Sequence, residues 1–296
     1  MNKTKGYIYV FTAGALWGCI GLFVNLLGSM GAESGTTAFL RMFCGMCLMT
    51  ILLLAKGGTS LFKIDTKGLL ICMILGVFGQ ALFNYTYTMA IRIVGVATGS
   101  VLLYTAPVFV CIMSAMFFHE NMTKVKVMAL AVNIIGCILT VTGGNLTTME
   151  FSVIGVGVGI MAGFCYALTT IIGTVAKDYH SMTVTFYSFF FAMITLAVVL
   201  RPFGNLAECI SPLFVLTAFG YGLVPTVGSY ILYMKGLSMD LETSKVPVVA
   251  SVETVVAAII GICMFSEAFN LAKLIGIALV LGSIAIMNMG FGKKQA

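Results

Sequence analysis

Apolar residues in this chain come in long blocks separated by short polar breaks, not in the alternating or helical rhythm of a water-soluble fold. The blocks run over approximately 7–27, 34–55, 68–90, 93–117, 123–143, 152–175, 181–201, 212–236, 241–265 and 270–290. Each is close to the ~20 residues that an α-helix needs to cross a hydrocarbon core. Breaks such as Arg92, or His180 with Ser181, leave room only for a tight reversal. Inside a bilayer the backbone finds no water, so such blocks must satisfy their own hydrogen bonds as helices. The pattern predicts an all-α integral membrane protein with ten transmembrane helices and the lipid bilayer as its surroundings. The first block is long enough to span and lacks a small-residue cleavage site, so it reads as the first helix and not as a signal peptide.

Composition agrees. The chain is 60% hydrophobic and 9% charged, whereas a water-soluble domain carries about 25% charged residues. The net charge of +6 is spread singly between apolar blocks, so no phosphate-binding patch forms and no nucleic-acid partner is expected. Lys3, Lys5, Lys56, Lys63, Lys67, Lys124, Lys126, Lys177, Lys235, Lys245, Lys293 and Lys294 fall on one side of the ten spans, and only Arg92, Arg201 and Lys273 on the other. Positive charge is retained on the cytoplasmic side, which places both termini there. The nine cysteines lie almost entirely within apolar blocks, including the Cys44/Cys47 pair, and only Cys209 falls in a non-cytoplasmic loop. They read as small packing residues; neither a disulfide framework nor a metal site nor a cofactor is expected.

The sequence repeats itself. Residues 80–91, QALFNYTYTMAI, resemble 226–237, TVGSYILYMKGL; FFHE at 117–120 matches MFSE at 264–267; Gly136 matches Gly282. The copies are 146–147 residues apart, which suggests two five-span units, 1–147 and 148–296. ALWG at 15–18 echoes CYAL at 165–168 and makes Tyr166 the counterpart of Trp17. Five is odd, so the second copy enters the membrane from the opposite side. Inverted repeats of this kind are a signature of secondary transporters.

ALWG, the arginine at position 41 and the run NYTYTMAI…VGVATGSVLLYTAPVFV…HE resemble the EamA-type ten-helix branch of the drug/metabolite transporter superfamily over nearly the whole chain. The resemblance implies a bacterial plasma-membrane (inner-membrane) carrier of small metabolites such as amino acids, amines, nucleobase-like compounds or drugs. The family often shows a Leu-Glu-Pro-Val-like sequence in its fourth and ninth helices. Here the first copy, Thr105-Ala106-Pro107-Val108, keeps the proline, and the second, Val252-Glu253-Thr254-Val255, keeps the acid.

Glu253 lies at the centre of the ninth block. A carboxylate at that depth costs at least ~2.5–3.5 kcal/mol unless it is paired, hydrated or protonated. Proton coupling, binding of a cationic group, neutralisation of an arginine and a packing contact are the open readings. Arg41 is the other charge within a block; it grips a substrate carboxylate, snorkels outward, or pairs with Glu253. One acid and one base in a shared cavity would suit a zwitterion such as an amino acid.

Two polar-aromatic stripes accompany them: Gln80, Asn84, Tyr85 and Tyr87 in the third span, with Tyr104 in the fourth, and Ser229, Tyr230 and Tyr233 in the eighth, with Tyr221 nearer its outer end. Aromatic rings can wall a cavity and hold an ammonium, or serve as interfacial anchors and packing contacts. Trp17, the only tryptophan, lies mid-span and either lines the cavity or packs in the bundle. Pro107, Pro225 and Gly79, the repeat counterpart of Pro225, are candidate hinges, since proline removes a helix hydrogen bond. Gly14/Gly18, Gly95/Gly99 and Gly155/Gly159/Gly163 are spaced for close helix contact. Glu120 and Glu267 sit at matching helix ends with Lys124 and Lys273 as natural partners, and Asn25 reads as an interfacial cap.

The expected function is secondary transport, not ATP-driven, of small metabolites, amino acids or related amines first, around a mid-membrane cavity. A proton is one candidate coupling ion, and the pattern is compatible with a monomer without fixing the oligomeric state. The alternatives are proton-coupled export of organic cations or drugs and, further off, an intramembrane enzyme or a channel. Against an enzyme, the chain has no P-loop, GxSxG, HExxH or paired intramembrane aspartates; no ring of like charges suggests a channel filter.

Overall fold

The computed structural model describes residues 3–148, 152–203, 206–266 and 268–289; Lys293, Lys294 and Glu267 lie outside them. Among the described residues there is no strand. Among the described residues, nine helical stretches are long and apolar enough to span: α1 (Lys3–Ser29), α2 (Ser34–Phe62), α3 (Thr66–Gly95), α4 (Thr98–Phe118), α5 (Lys124–Thr142), α6 (Val153–Asp178), α7 (Ser181–Leu200), α8 (Pro212–Leu237) and α9 (Thr243–Phe265). A further apolar helix, α10 (Leu271–Met289), completes the set. Leu216, Met116, Leu271 and other large apolar side chains stay exposed on the outside of the bundle, as a lipid-facing surface requires.

Helix starts follow local chemistry. Asp65, Thr123, Ser152 and Ser211 each accept a backbone N–H three residues on, capping α3, α5, α6 and α8. The bond from the Gly68 N–H holds the Asp65 carboxyl below the usual carboxylate range. Between α3 and α4 the reversal falls at Gly95, where φ is 76°, and not at Arg92. A left-handed φ suits glycine, and a Cβ there would meet nothing nearby. Gly95 is therefore a turn residue and not the packing residue its spacing suggested.

The duplication is visible in the backbone. α4 and α9 end on left-handed His119 (φ 52°) and Ser266 (φ 53°), residues in matching positions. α3 and α8 each contain a π-helical segment, Leu75–Leu82 and Leu223–Gly228, holding Gly79 and Pro225 respectively. Pro225 and Gly79 thus occupy corresponding irregularities, of the kind that π-bulges introduce into helices at functional sites.

Three more spans break near mid-length. α1 is interrupted at Gly18–Cys19, α4 at Tyr104–Thr105 just before Pro107, and α9 at Ser251. Close helix contact brings two of these breaks together. A Cβ on Gly14 would collide with the Ala250 carbonyl, and one on Gly18 with Val256 and the Glu253 carbonyl. Gly155, Gly159 and Gly163 of α6 likewise admit Val94, Leu102 and Thr105. α5 and α10 meet along a small-residue seam: a Cβ on Gly136 would lie 2.8 Å from Val280 N. Apart from Gly95, the small-residue spacing therefore does what it does in other membrane bundles.

Candidate functional site

Glu253 begins the second half of the broken ninth helix. It lies in the first turn of the segment Val252–Phe265, directly after Ser251. Free N–H groups at a helix start favour a negative charge, and discontinuous helices use such starts to form sites at mid-membrane. The break is fixed from outside. Asn133 of α5 donates to Ser251 Oγ at 2.6 Å and to Ser283 Oγ of α10 at 2.9 Å. The hydroxyls of Tyr104 and Thr254 are 3.0 Å apart.

As a whole residue Glu253 is half-buried. Its Oε2 accepts a bond from the Tyr166 hydroxyl at 3.3 Å. Tyr166 stacks on Phe83 with ring centroids 5.3 Å apart, and Phe83 on Tyr87 at 5.8 Å. Behind this partly open face lies a closed aromatic cluster. Trp17 is 4% exposed and meets Tyr166, Tyr230 and Tyr233 at 6.2, 5.3 and 4.8 Å between centroids. Tyr233 shares a 2.7 Å hydroxyl bond with Thr170. The Trp17 indole N–H has no partner among the described residues, and burying an unmade donor costs about 1–3 kcal/mol.

Arg41 is held inside the bundle by side chains of α8. It is 5% exposed, donates from Nε to Thr226 Oγ1 at 3.3 Å, and lies 5.6 and 6.0 Å from the centroids of Tyr221 and Tyr230. Cation–π contact on two rings and a hydroxyl keep the guanidinium inside the protein. It does not snorkel. Glu253 lies within its electrostatic reach, yet no direct ion pair joins them among the described residues. Tyr230 stands within reach of both charges.

The polar stripes divide. Tyr87, Tyr104 and Asn84 are half-buried; Tyr230 and Tyr233 are buried. The Tyr87 hydroxyl bonds Ser100 at 3.0 Å, and Asn84 returns its side-chain amide to the Gln80 carbonyl. Gln80 is fully buried and donates to Ser188 of α7 at 3.0 Å. The helical-face argument that grouped Gln80 with Tyr87 assumed 3.6 residues per turn, and the π segment ending at Leu82 shifts that phase. Tyr166, Phe83 and Thr226 complete the cluster without having stood out as site residues. For Tyr166 the signal existed: it is the repeat counterpart of Trp17. Asn25 is exposed and donates to the Gly21 carbonyl within its own helix instead of capping an end.

Ten apolar helices in two copies, with broken spans converging on a half-buried glutamate, define a multi-pass membrane transporter. Sequence comparison gives the family. The profile of the EamA-like transporter family matches twice, over residues 4–142 and 153–289, and the chain belongs to that family. It is 27% identical over 286 residues to an uncharacterized transporter of Archaeoglobus fulgidus, covering 95% of each chain. It is 24% identical over 296 residues to the uncharacterized inner membrane transporter YicL of Salmonella typhimurium, covering 97% of this chain and 96% of that one. The pseudopaline exporter CntI of Pseudomonas aeruginosa is 26% identical over 153 residues, 51% of each chain. A crystal structure at 16% identity superposes with a TM-score of 0.83 over 99% of this chain and 100% of the other, which shows a shared fold.

Proposed function

We propose that the chain is a secondary transporter of small amines, amino acids among them, working by alternating access, with the Glu253 face as its ammonium site. The observation that carries this reading is a half-buried glutamate at a helix start, bonded by one hydroxyl and walled by tyrosine, phenylalanine and tryptophan rings. A carboxylate with aromatic faces suits an ammonium on both electrostatic and cation–π grounds. The π segments of α3 and α8 and the breaks of α1, α4 and α9 supply the bending that two-sided access needs.

A second reading is favoured by the seclusion of Arg41. With Glu253 as the acid of this site, a proton and an organic cation would compete for it, and their exchange would couple export to the proton gradient.

The first test is a melting-shift screen in detergent over primary amines, quaternary amines, α-amino acids, carboxylic acids and nucleobases. Amine-bearing ligands are expected to stabilise the wild type and not Glu253→Gln; stabilisation by carboxylic acids or nucleobases alone would contradict the assignment. The lysine-rich face is assigned to the cytoplasm of a bacterial plasma membrane. An impermeant thiol reagent outside intact cells should then label Cys209 and spare a cysteine introduced at position 65, and the reverse would invert the topology.

A further inference from the structure

The odd-numbered spans start on the lysine-rich face, and there the two repeats are joined by a compact charge cluster. Glu120, just beyond the left-handed end of α4, accepts the Thr243 and Ser244 backbone N–H groups at 2.5 and 3.0 Å and the Ser244 hydroxyl at 2.5 Å. Its partner is not the neighbouring Lys124 but Lys126, whose Nζ lies 3.7 Å from Glu120 and 2.8 Å from Glu242. Lys245 closes the ring on Glu242 at 2.9 Å. Tyr7 of α1 joins it by accepting the Glu242 N–H at 3.2 Å. Lys126 and Lys245 are 7% and 5% exposed at their side chains, so both bases of the cluster are buried. Pulling one partner out would leave a buried charge uncompensated.

The repeat supplies a comparison. Glu120 and Lys126 correspond to Glu267 and Lys273, but Glu242 corresponds to Gly95 and Lys245 to Thr98. In sequence the four corresponding positions, 267, 273, 95 and 98, thus carry one acid and one base where this set has two of each. α4 and α9, the spans this cluster ties together, are also spans that break at mid-depth.

Resting on the alternating-access reading, we infer that Glu120, Lys126, Glu242 and Lys245 form a clasp that closes the lysine-rich face and, being more highly charged than its repeat counterpart, sets the resting carrier open to the opposite side. The clasp stabilises one conformer of the two. Weakening it shifts the population toward the other conformer, so one face should loosen while the other tightens.

Hydrogen–deuterium exchange on the ligand-free, detergent-solubilised chain reads both faces at once. In Glu120→Gln and in Glu242→Gln, peptides covering 119–126 and 239–246 should exchange several-fold faster, while those covering 91–99 and 268–274 exchange more slowly. Glu242→Asp should restore the wild-type pattern. Faster exchange confined to the lysine-rich face would mark a static brace and overturn the clasp, as would unchanged exchange on both faces. If Glu120→Gln fails to fold, Glu242→Gln, whose carboxylate is 36% exposed, carries the same prediction. Amine counterflow by the same variants separates the two ideas. Counterflow retained without the reciprocal exchange removes the clasp alone, whereas its absence from the wild type removes the carrier reading.

Discussion

Trp17 and Tyr166, repeat-related residues of α1 and α6, meet edge to face with ring centroids 6.2 Å apart and planes inclined by 64°. Duplication thus brings two equivalent aromatic positions together beside Glu253, and only one carries a hydroxyl for the carboxylate. The other contributes an indole N–H that finds no acceptor among the described residues. Replacing Trp17 by Phe keeps a ring and deletes the stranded donor. Thermal stability of Trp17→Phe should equal or exceed that of the wild type while transport falls. A lower melting temperature with unchanged transport would reduce Trp17 to a packing residue.

Tyr166→Phe removes the hydroxyl that, among the described residues, bonds Glu253. Hydrogen bonds to charged groups are worth ~1.5–3 kcal/mol, so amine affinity should fall roughly tenfold or more with the fold intact. Titration of ligand-induced melting shifts measures it.

Arg41→Gln separates structure from recognition. The guanidinium is held by Thr226, Tyr221 and Tyr230, so its loss should destabilise by about 1–3 kcal/mol. The KM for a simple monoamine should move by less than about threefold, because a buried guanidinium gives such a ligand no direct contact. A large rise in KM at normal stability would put Arg41 in the site.

Much of this was legible in the sequence, for reasons that differ by residue. The ten blocks are visible because the bilayer demands ~20 apolar residues per crossing. Glu253 stands out because a carboxylate is expensive where every neighbour is apolar. The π segments at Gly79 and Pro225 are not legible as such, because residue types mark a weak point in a helix without fixing its hydrogen-bond register. The helical face on which Gln80 sits is therefore not legible from residue spacing alone. The link between Glu120 and Ser244 spans 124 residues and two repeats, and no local pattern encodes such a pairing. The Gly95 reversal was misplaced by three residues because Arg92 is the only charge nearby, whereas the turn is set by backbone freedom.

The α5–α10 seam makes its own prediction. Gly136→Val would place a Cβ within 3.0 Å of the Gly276 carbonyl and 2.8 Å of Val280 N, and backbone cannot yield as a flexible side chain does. Folded yield should drop sharply, whereas Gly157→Val, where a Cβ meets nothing within 4 Å, should be tolerated. Size-exclusion profiles of the two variants give the comparison.

Counterflow in proteoliposomes tests the central claim most directly. Vesicles preloaded with the unlabelled amine that shifts melting most strongly should accumulate external labelled amine transiently and saturably, and Glu253→Gln should abolish that overshoot while remaining folded. Uptake that neither saturates nor responds to preloading, or an overshoot of wild-type size in Glu253→Gln, would contradict the account.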